Sequence, residues 1–79
     1  MKNKEHTLIQ SYYREKYFIS TAYRRASITI AEVWYYETII WEWDKETKER
    51  GEMLSMEDSG IMPRSALENH FKLIEDLEL

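Results

Sequence analysis

The sequence contains no cysteine, one proline and two glycines, and each scarcity argues against a class of protein. Without cysteine there is no disulfide, no thiolate nucleophile and no cysteine-based zinc site. Two isolated glycines cannot build a phosphate-binding loop, which argues against a nucleotide-dependent enzyme. No run of about 18 uncharged apolar residues is present, and the N-terminus lacks the apolar segment of a signal peptide. We therefore expect a cytoplasmic protein without a membrane span.

The 79 residues are enough for one hydrophobic core and too few for two, so we expect a single domain covering residues 1–79. Hydrophobic residues make up 43% of the chain and aromatic residues 14%, which is sufficient for a folded core. The net charge of −4 is unevenly distributed. Residues 1–29 contain six basic and two acidic residues, whereas residues 30–79 contain five basic and thirteen acidic ones. The chain therefore offers two oppositely charged regions to a partner.

Alternation of side-chain types predicts three strands within residues 17–56. Residues 17–25 are rich in aromatic and β-branched side chains, and residues 33–43 are apolar on both faces, as expected of a central strand. Residues 52–56 predict the returning strand. The polar run 44–51 between the last two strands is typical of a hairpin connection, in which Gly51 is free to adopt a positive φ.

A helix is predicted over residues 65–77. Ser65 and Glu68 have the spacing of a capping box at its start. An apolar stripe then follows the helix at spacings of three and four residues, formed by Leu67, Phe71, Ile74 and Leu77. Residues 1–15 fit either an extended arm or a short helix. The order of elements predicts an α+β fold, with a three-stranded antiparallel sheet that carries the C-terminal helix on one face.

One helix covers only one face of such a sheet, so aromatic side chains of the central strand should stay exposed on the other face and mark an interface. The candidate anchors are the tryptophans Trp34, Trp41 and Trp43. Acidic residues around the hairpin could add to this surface by imitating a nucleic-acid backbone, namely Glu42, Asp44, Glu46 and Glu49. The competing interpretation is solubilising charge, since basic residues interrupt the cluster. We expect an unidentified protein partner, and a homodimer is a further possibility.

Nucleic-acid binding is the alternative from a different class. Basic and aromatic residues interleave in the N-terminal third of the chain, a combination that stacks bases and neutralises phosphates: Tyr13, Arg14, Lys16, Tyr23, Arg24 and Arg25. The thirteen acidic residues of the rest of the chain oppose this interpretation, because they repel phosphate. A small single-stranded nucleic-acid-binding protein therefore ranks below a protein-binding one.

Two residues are the candidates for chemistry, and both favour a structural role. Glu37 lies between Tyr35 and Ile39 on one strand face, where a carboxylate needs a donor such as Arg24, Arg25, a tyrosine hydroxyl or His70. His70 borders the apolar stripe of the helix without a second histidine at helical spacing, which favours a hydrogen-bonded histidine over a metal ligand or general base. We expect no enzymatic activity, no catalytic residue, no cofactor and no metal.

Several short motifs resemble a group of small uncharacterised phage, prophage and related bacterial proteins. Residues 34–44 resemble that group's Tyr-Glu-Thr-Met strand, with Ile39 in place of the methionine, and residues 65–70 resemble its Ala-Leu-x-x-His helix start. The resemblance covers residues 17–79 and implies a hairpin-plus-helix fold and a mobile-element origin. Small proteins of such origin include inhibitors of host machinery, anti-CRISPR proteins among them. The group has no assigned activity, so the resemblance carries over no catalytic residue. From this association, our leading hypothesis is an inhibitor that occupies a surface without turnover.

Overall fold

The computed structural model describes residues 4–28 and 31–77, which form four strands and one helix. In chain order the elements are β1 His6–Tyr13, β2 Tyr17–Ile28, β3 Ala31–Asp44, β4 Glu49–Asp58 and α1 Pro63–Asp76. The α+β class, the antiparallel sheet and the C-terminal helix agree with the sequence prediction. The predicted number of three strands is wrong, because residues 6–13 of the undecided N-terminal segment form a fourth strand.

The strands pair in the order in which they occur along the chain, β1-β2-β3-β4, and every pair is antiparallel. Ile19 of β2 lies opposite Ile40 of β3, and Ile39 of β3 lies opposite Met56 of β4. The register shifts near Leu8 in β1 and twice along β4, which bends both outer strands. The central strands β2 and β3 are the longest, with 12 and 14 residues, and both extend beyond the predicted ranges 17–25 and 33–43.

The turns use residues that sequence rules do not favour. Arg14 and Glu15 turn the chain between β1 and β2 with φ angles of 51° and 56°. Between β3 and β4 the positive φ belongs to Lys48, at 58°, and not to Gly51 as predicted. Gly51 already lies within β4, where an added Cβ would come within 3.3 Å of the Glu42 Cβ. Glycine therefore suits this position because it has no Cβ to crowd the neighbouring strand β3.

Helix α1 differs from its prediction at its start and in its buried face. It begins at Pro63, with Met62 in the N-cap position and no side-chain hydrogen bond, so the predicted capping box of Ser65 and Glu68 is wrong. A proline at the first helical position has a suitable φ and no N–H to satisfy, which explains the earlier start.

The side chains that α1 buries are Ala66 and His70, whereas Phe71 of the predicted stripe is 50% exposed. The helix is oriented so that His70 faces β1 and β2, where it provides hydrogen-bonding partners for Ser11 and Thr21.

Opposed residues share a face of the sheet, which separates two surfaces. The face under α1 carries Ser11, Thr21, Thr38 and Ile40, and α1 lies against β1, β2 and β3. The other surface, called here the open face, carries Gln10, Tyr12, Phe18, Ser20, Ala22, Arg24, Tyr35, Glu37, Ile39, Trp41, Trp43, Arg50, Met53, Met56 and Asp58. In the described part of the chain no helix could cross a bilayer, since α1 has 14 residues.

Candidate functional site

An aromatic cluster occupies one end of the open face. The ring of Phe18 lies 5.6 Å from that of Trp41 and 5.8 Å from that of Trp43, and Tyr12 stacks on Phe18 at 5.0 Å. Tyr12 also meets Trp43 edge to face at 4.8 Å. Mutual packing buries Phe18, but Tyr12 remains 59% exposed. Three strands therefore contribute rings to one apolar surface, and the helix of the described chain lies on the other face of the sheet.

Basic side chains border this cluster. The guanidinium carbon of Arg50 lies 4.6 Å from the centre of the Trp41 ring, a cation–π arrangement that fixes the direction of the arginine. Lys48, Glu49 and Arg50 line a hollow of about 580 Å³ together with Tyr12 and other residues of this end. Two positive charges and one negative charge thus surround the hollow at the aromatic end.

The opposite end of the open face is acidic. A hollow of about 370 Å³ lies there, lined by Ala26, Val33, Tyr35, Glu37, Met56 and Asp58. The hydroxyl of Tyr35 donates a hydrogen bond of 2.9 Å to Glu37, and Arg24 lies 3.9 Å from the same carboxylate. The bond to Glu37 and partial burial raise the pKa of the Tyr35 hydroxyl. Glu37 therefore interacts with Tyr35 and Arg24, and both are among the donors proposed from the sequence.

The seven residues predicted to bind protein do not lie on one surface. Trp41 and Trp43 belong to the aromatic cluster, but Trp34 lies on the other face and stacks on Tyr23 at 5.2 Å. Glu42 also projects from the face opposite the cluster, by its place in the register. Of the three tryptophans that the sequence selected as anchors, only Trp41 and Trp43 therefore lie on the open face.

One acidic side chain of the hairpin bonds the backbone of the β3–β4 turn. A side-chain oxygen of Asp44 accepts hydrogen bonds from the backbone N–H groups of Glu46 and Thr47, at 2.9 and 3.3 Å. Glu46 and Glu49 are exposed beside it, and Lys45 pairs with Glu15 at 3.3 Å. Asp44 is thus a turn-forming residue, while Glu46 and Glu49 stay accessible to a partner.

Sequence reasoning missed several residues of the open face, including Tyr12, Arg50, Met53 and Met56. Phe18 falls within the strand predicted over residues 17–25, but its contact with Tyr12 depends on β1. The alternation in β1 is weak and is interrupted near Leu8, so no local pattern placed Tyr12 on the same sheet face as Phe18. Spacing along the chain could not have shown that Arg50 stacks on Trp41 across the hairpin.

The residues predicted to bind nucleic acid are separated into two groups. Tyr13, Arg14 and Lys16 lie at the β1–β2 turn, whereas Tyr23, Arg24 and Arg25 lie about seven residues further along β2, roughly 23 Å away.

Acidic side chains meet both arginines of the second group. Arg24 contacts Glu5 at 3.1 Å and Arg25 contacts Glu32 at 3.4 Å. The bond from the backbone N–H of Arg25 is the main cause that lowers the pKa of Glu5. The two groups do not form one basic surface.

His70 belongs to a buried chain of hydrogen bonds between α1 and the sheet, called here the hydroxyl network. Its two ring nitrogens each lie 2.8 Å from a hydroxyl oxygen, Nε2 from Ser11 and Nδ1 from Thr21. Thr21 bonds Thr38 at 2.7 Å, Thr38 bonds Ser59 at 2.6 Å, and Asn69 donates to Ser59 at 2.8 Å. No buried side-chain nitrogen or oxygen of the described residues lacks a partner.

The Ser11–His70 pair has the contact distance of a nucleophile and its base, but its surroundings differ from those of a catalytic pair. The second ring nitrogen meets the Thr21 hydroxyl and not a carboxylate that could stabilise a protonated ring. Burial lowers the pKa of His70, and neither residue lines the hollows of the open face. The hydroxyl network is therefore an attachment between helix and sheet.

Among residues 4–28 and 31–77, no three His, Asp or Glu side chains come together in a way that could hold a metal ion. No protein-family model matches the chain, and comparison with curated proteins and with solved structures gives no significant match. The resemblance to small phage-type proteins therefore stays a prediction. The open face, with its aromatic cluster, is the candidate functional site on the strength of its geometry.

Proposed function

We propose that this chain is a non-catalytic protein-binding module that uses the open face to occupy the surface of a partner. The observation that carries the proposal is the aromatic cluster, in which Tyr12 is 59% exposed beside Phe18 and Trp43. Each large apolar side chain left in water forgoes about 1.5–3 kcal/mol of burial free energy. A partner that covers several of them gains that free energy on binding, and tryptophan, tyrosine and arginine are the residues that dominate interface affinity.

In this proposal the chain acts by binding alone. Binding that covers a partner's own interface inhibits it, and the exposed acidic residues Glu46 and Glu49 extend the surface toward basic partners. The proposal places this binding in the cytoplasm, as the cysteine-free composition predicts. Host machinery of the kind that phage proteins inhibit is the first class of partner to screen.

The test is retention of proteins from a nuclease-treated lysate on the immobilised chain. The variant Tyr12→Ser/Met53→Ser removes two side chains of the open face that are 59% and 49% exposed. The matched control is Phe71→Ser, since Phe71 is 50% exposed on the helix. We expect the wild-type and control proteins to retain the same partner and the open-face variant to lose it.

Equal retention by the open-face variant would exclude this face as the binding surface. Retention that disappears with nuclease would instead favour the nucleic-acid alternative. Circular dichroism of all three proteins shows whether a lost partner reflects lost folding.

A further inference from the structure

The two ends of the open face are complementary in charge. Lys48 and Arg50 outnumber Glu49 around the aromatic hollow, whereas Glu37 and Asp58 line the opposite hollow without a basic residue. Arg24 lies beside Glu37 but is bound more closely by Glu5. A surface with a basic end and an acidic end matches a second copy of itself turned end to end.

The two ends also differ in the side chains that they carry. Bulky rings fill the aromatic end, and Arg50 lies on top of the Trp41 ring. At the other end the same face carries Ala22 and Ala26 on β2, and the hollow lined by Ala26, Tyr35 and Met56 measures about 370 Å³. Both ends therefore contain a hollow, about 580 Å³ at the aromatic end and about 370 Å³ at the acidic end, and the complementarity of the two ends lies in their charge.

The position of the two-fold axis decides whether the basic end of each copy meets the acidic end of the other. A two-fold axis that lies between the sheets and runs along the strands would place like ends together. An axis that runs across the strands places the aromatic end of each copy over the acidic end of the other. Trp43 and Glu37 are six residues apart on β3, roughly 20 Å, so this axis passes near Ile39 and Met56. The centre of the interface is then apolar.

We propose that the partner of the open face is a second copy of this chain, bound face to face so that Arg50 of each copy meets Asp58 and Glu37 of the other. This inference rests on the proposed function and names the occupant of the same surface. Met53 and Met56, which are 49% and 54% exposed, form the apolar middle, while Glu46 stays outside the interface at the hairpin.

The test uses charge reversal in the full chain, followed by sedimentation equilibrium over a range of protein concentrations. The wild-type chain dimerises, and Arg50→Glu and Asp58→Lys each weaken the dimer by about tenfold or more, because each places like charges at both ends of the interface. An equimolar mixture of the two variants restores dimerisation, since a mixed dimer regains two opposite-charge pairs. Arg64→Glu, an exposed reversal in the first turn of α1, leaves the dimer unchanged.

Three results would overturn the inference. A wild-type chain that stays monomeric at all concentrations excludes a second copy as the occupant, while retention of a different protein in the lysate experiment would still support the proposed function. If neither charge reversal changes the dimerisation measured by sedimentation, the dimer uses another surface. A mixture that remains monomeric, although each variant is folded by circular dichroism, excludes the pairing of Arg50 with Asp58.

Discussion

Thr38 lies at the centre of the hydroxyl network and bonds two other hydroxyl groups, those of Thr21 and Ser59. Replacement by valine keeps the shape of the side chain and leaves both neighbours with one partner fewer. We expect Thr38→Val to lower the free energy of unfolding by about 1–3 kcal/mol in urea denaturation. Thr47→Val in the exposed β3–β4 turn is the control and should change it by less than about 0.5 kcal/mol. Equal effects would contradict a structural role for the network.

His70 makes stability depend on pH. Burial lowers its pKa in the folded protein below the ordinary value of 6.5, so the unfolded chain binds the proton more readily. The stabilisation by neutral His70 is present above pH 6.5 and is lost as pH falls toward the lower folded pKa. The urea concentration at the midpoint of unfolding of the wild-type chain should therefore fall as the pH is lowered from about 7.5 to about 5.

The variant His70→Gln should weaken this decline and His6→Gln, at an exposed position, should keep it. An unchanged slope in the His70 variant would assign the acid sensitivity to other groups.

Lys48 adopts a left-handed backbone conformation with a φ of 58°. This conformation costs an L-residue with a Cβ about 1–2 kcal/mol, and glycine avoids the cost. We expect Lys48→Gly to raise the free energy of unfolding by up to about 1 kcal/mol, since part of the gain is offset by greater freedom of the unfolded chain. Lys45→Gly in the same turn has no positive φ to relieve and should destabilise the protein. Thermal denaturation of the pair separates the two effects.

At the scale of elements, α1 begins without a side-chain cap. Met62 already has the extended backbone of an N-cap residue, with φ of −105° and ψ of 132°. Met62→Asp should supply the missing acceptor and raise the free energy of unfolding by about 0.5–2 kcal/mol. Ser65→Ala should have little effect, because Ser65 lies inside the helix and caps nothing. Urea denaturation that shows the larger effect at Ser65 would instead support the capping box.

Strands β2, β3 and β4 and the helix could be predicted from the sequence because their side-chain patterns are local. Residues 33–43 alternate along most of the central strand β3, and the predicted strand 17–25 falls within β2. Strand β1 could not be predicted, since Arg14 and Glu15 form its turn without glycine, asparagine or proline. The contact of Ser11 with His70 spans 59 positions, so no local pattern could reveal it.

At the scale of the whole molecule, protection is uneven across the sheet. Strand β4 is an edge strand, its residues are exposed apart from Ser55, and α1 packs on the other three strands. We expect the β4 amides to exchange with solvent deuterium at least about tenfold faster than those paired between β2 and β3. Hydrogen-exchange mass spectrometry checks this order, and uniform rates along the sheet would indicate that only global unfolding exposes it.

The order β1-β2-β3-β4 followed by α1 has a consequence for synthesis on the ribosome. Each strand pairs with its immediate predecessor, so hairpins can form as the chain emerges. The helix comes last, and until His70 and Asn69 arrive Ser11, Thr21 and Ser59 lack the hydrogen-bonding partners that α1 supplies. About thirty residues separate the end of β3 from the end of α1, which is roughly two to six seconds of translation. During this interval both faces of the nascent sheet are uncovered, and a chaperone that binds aromatic surfaces has its opportunity.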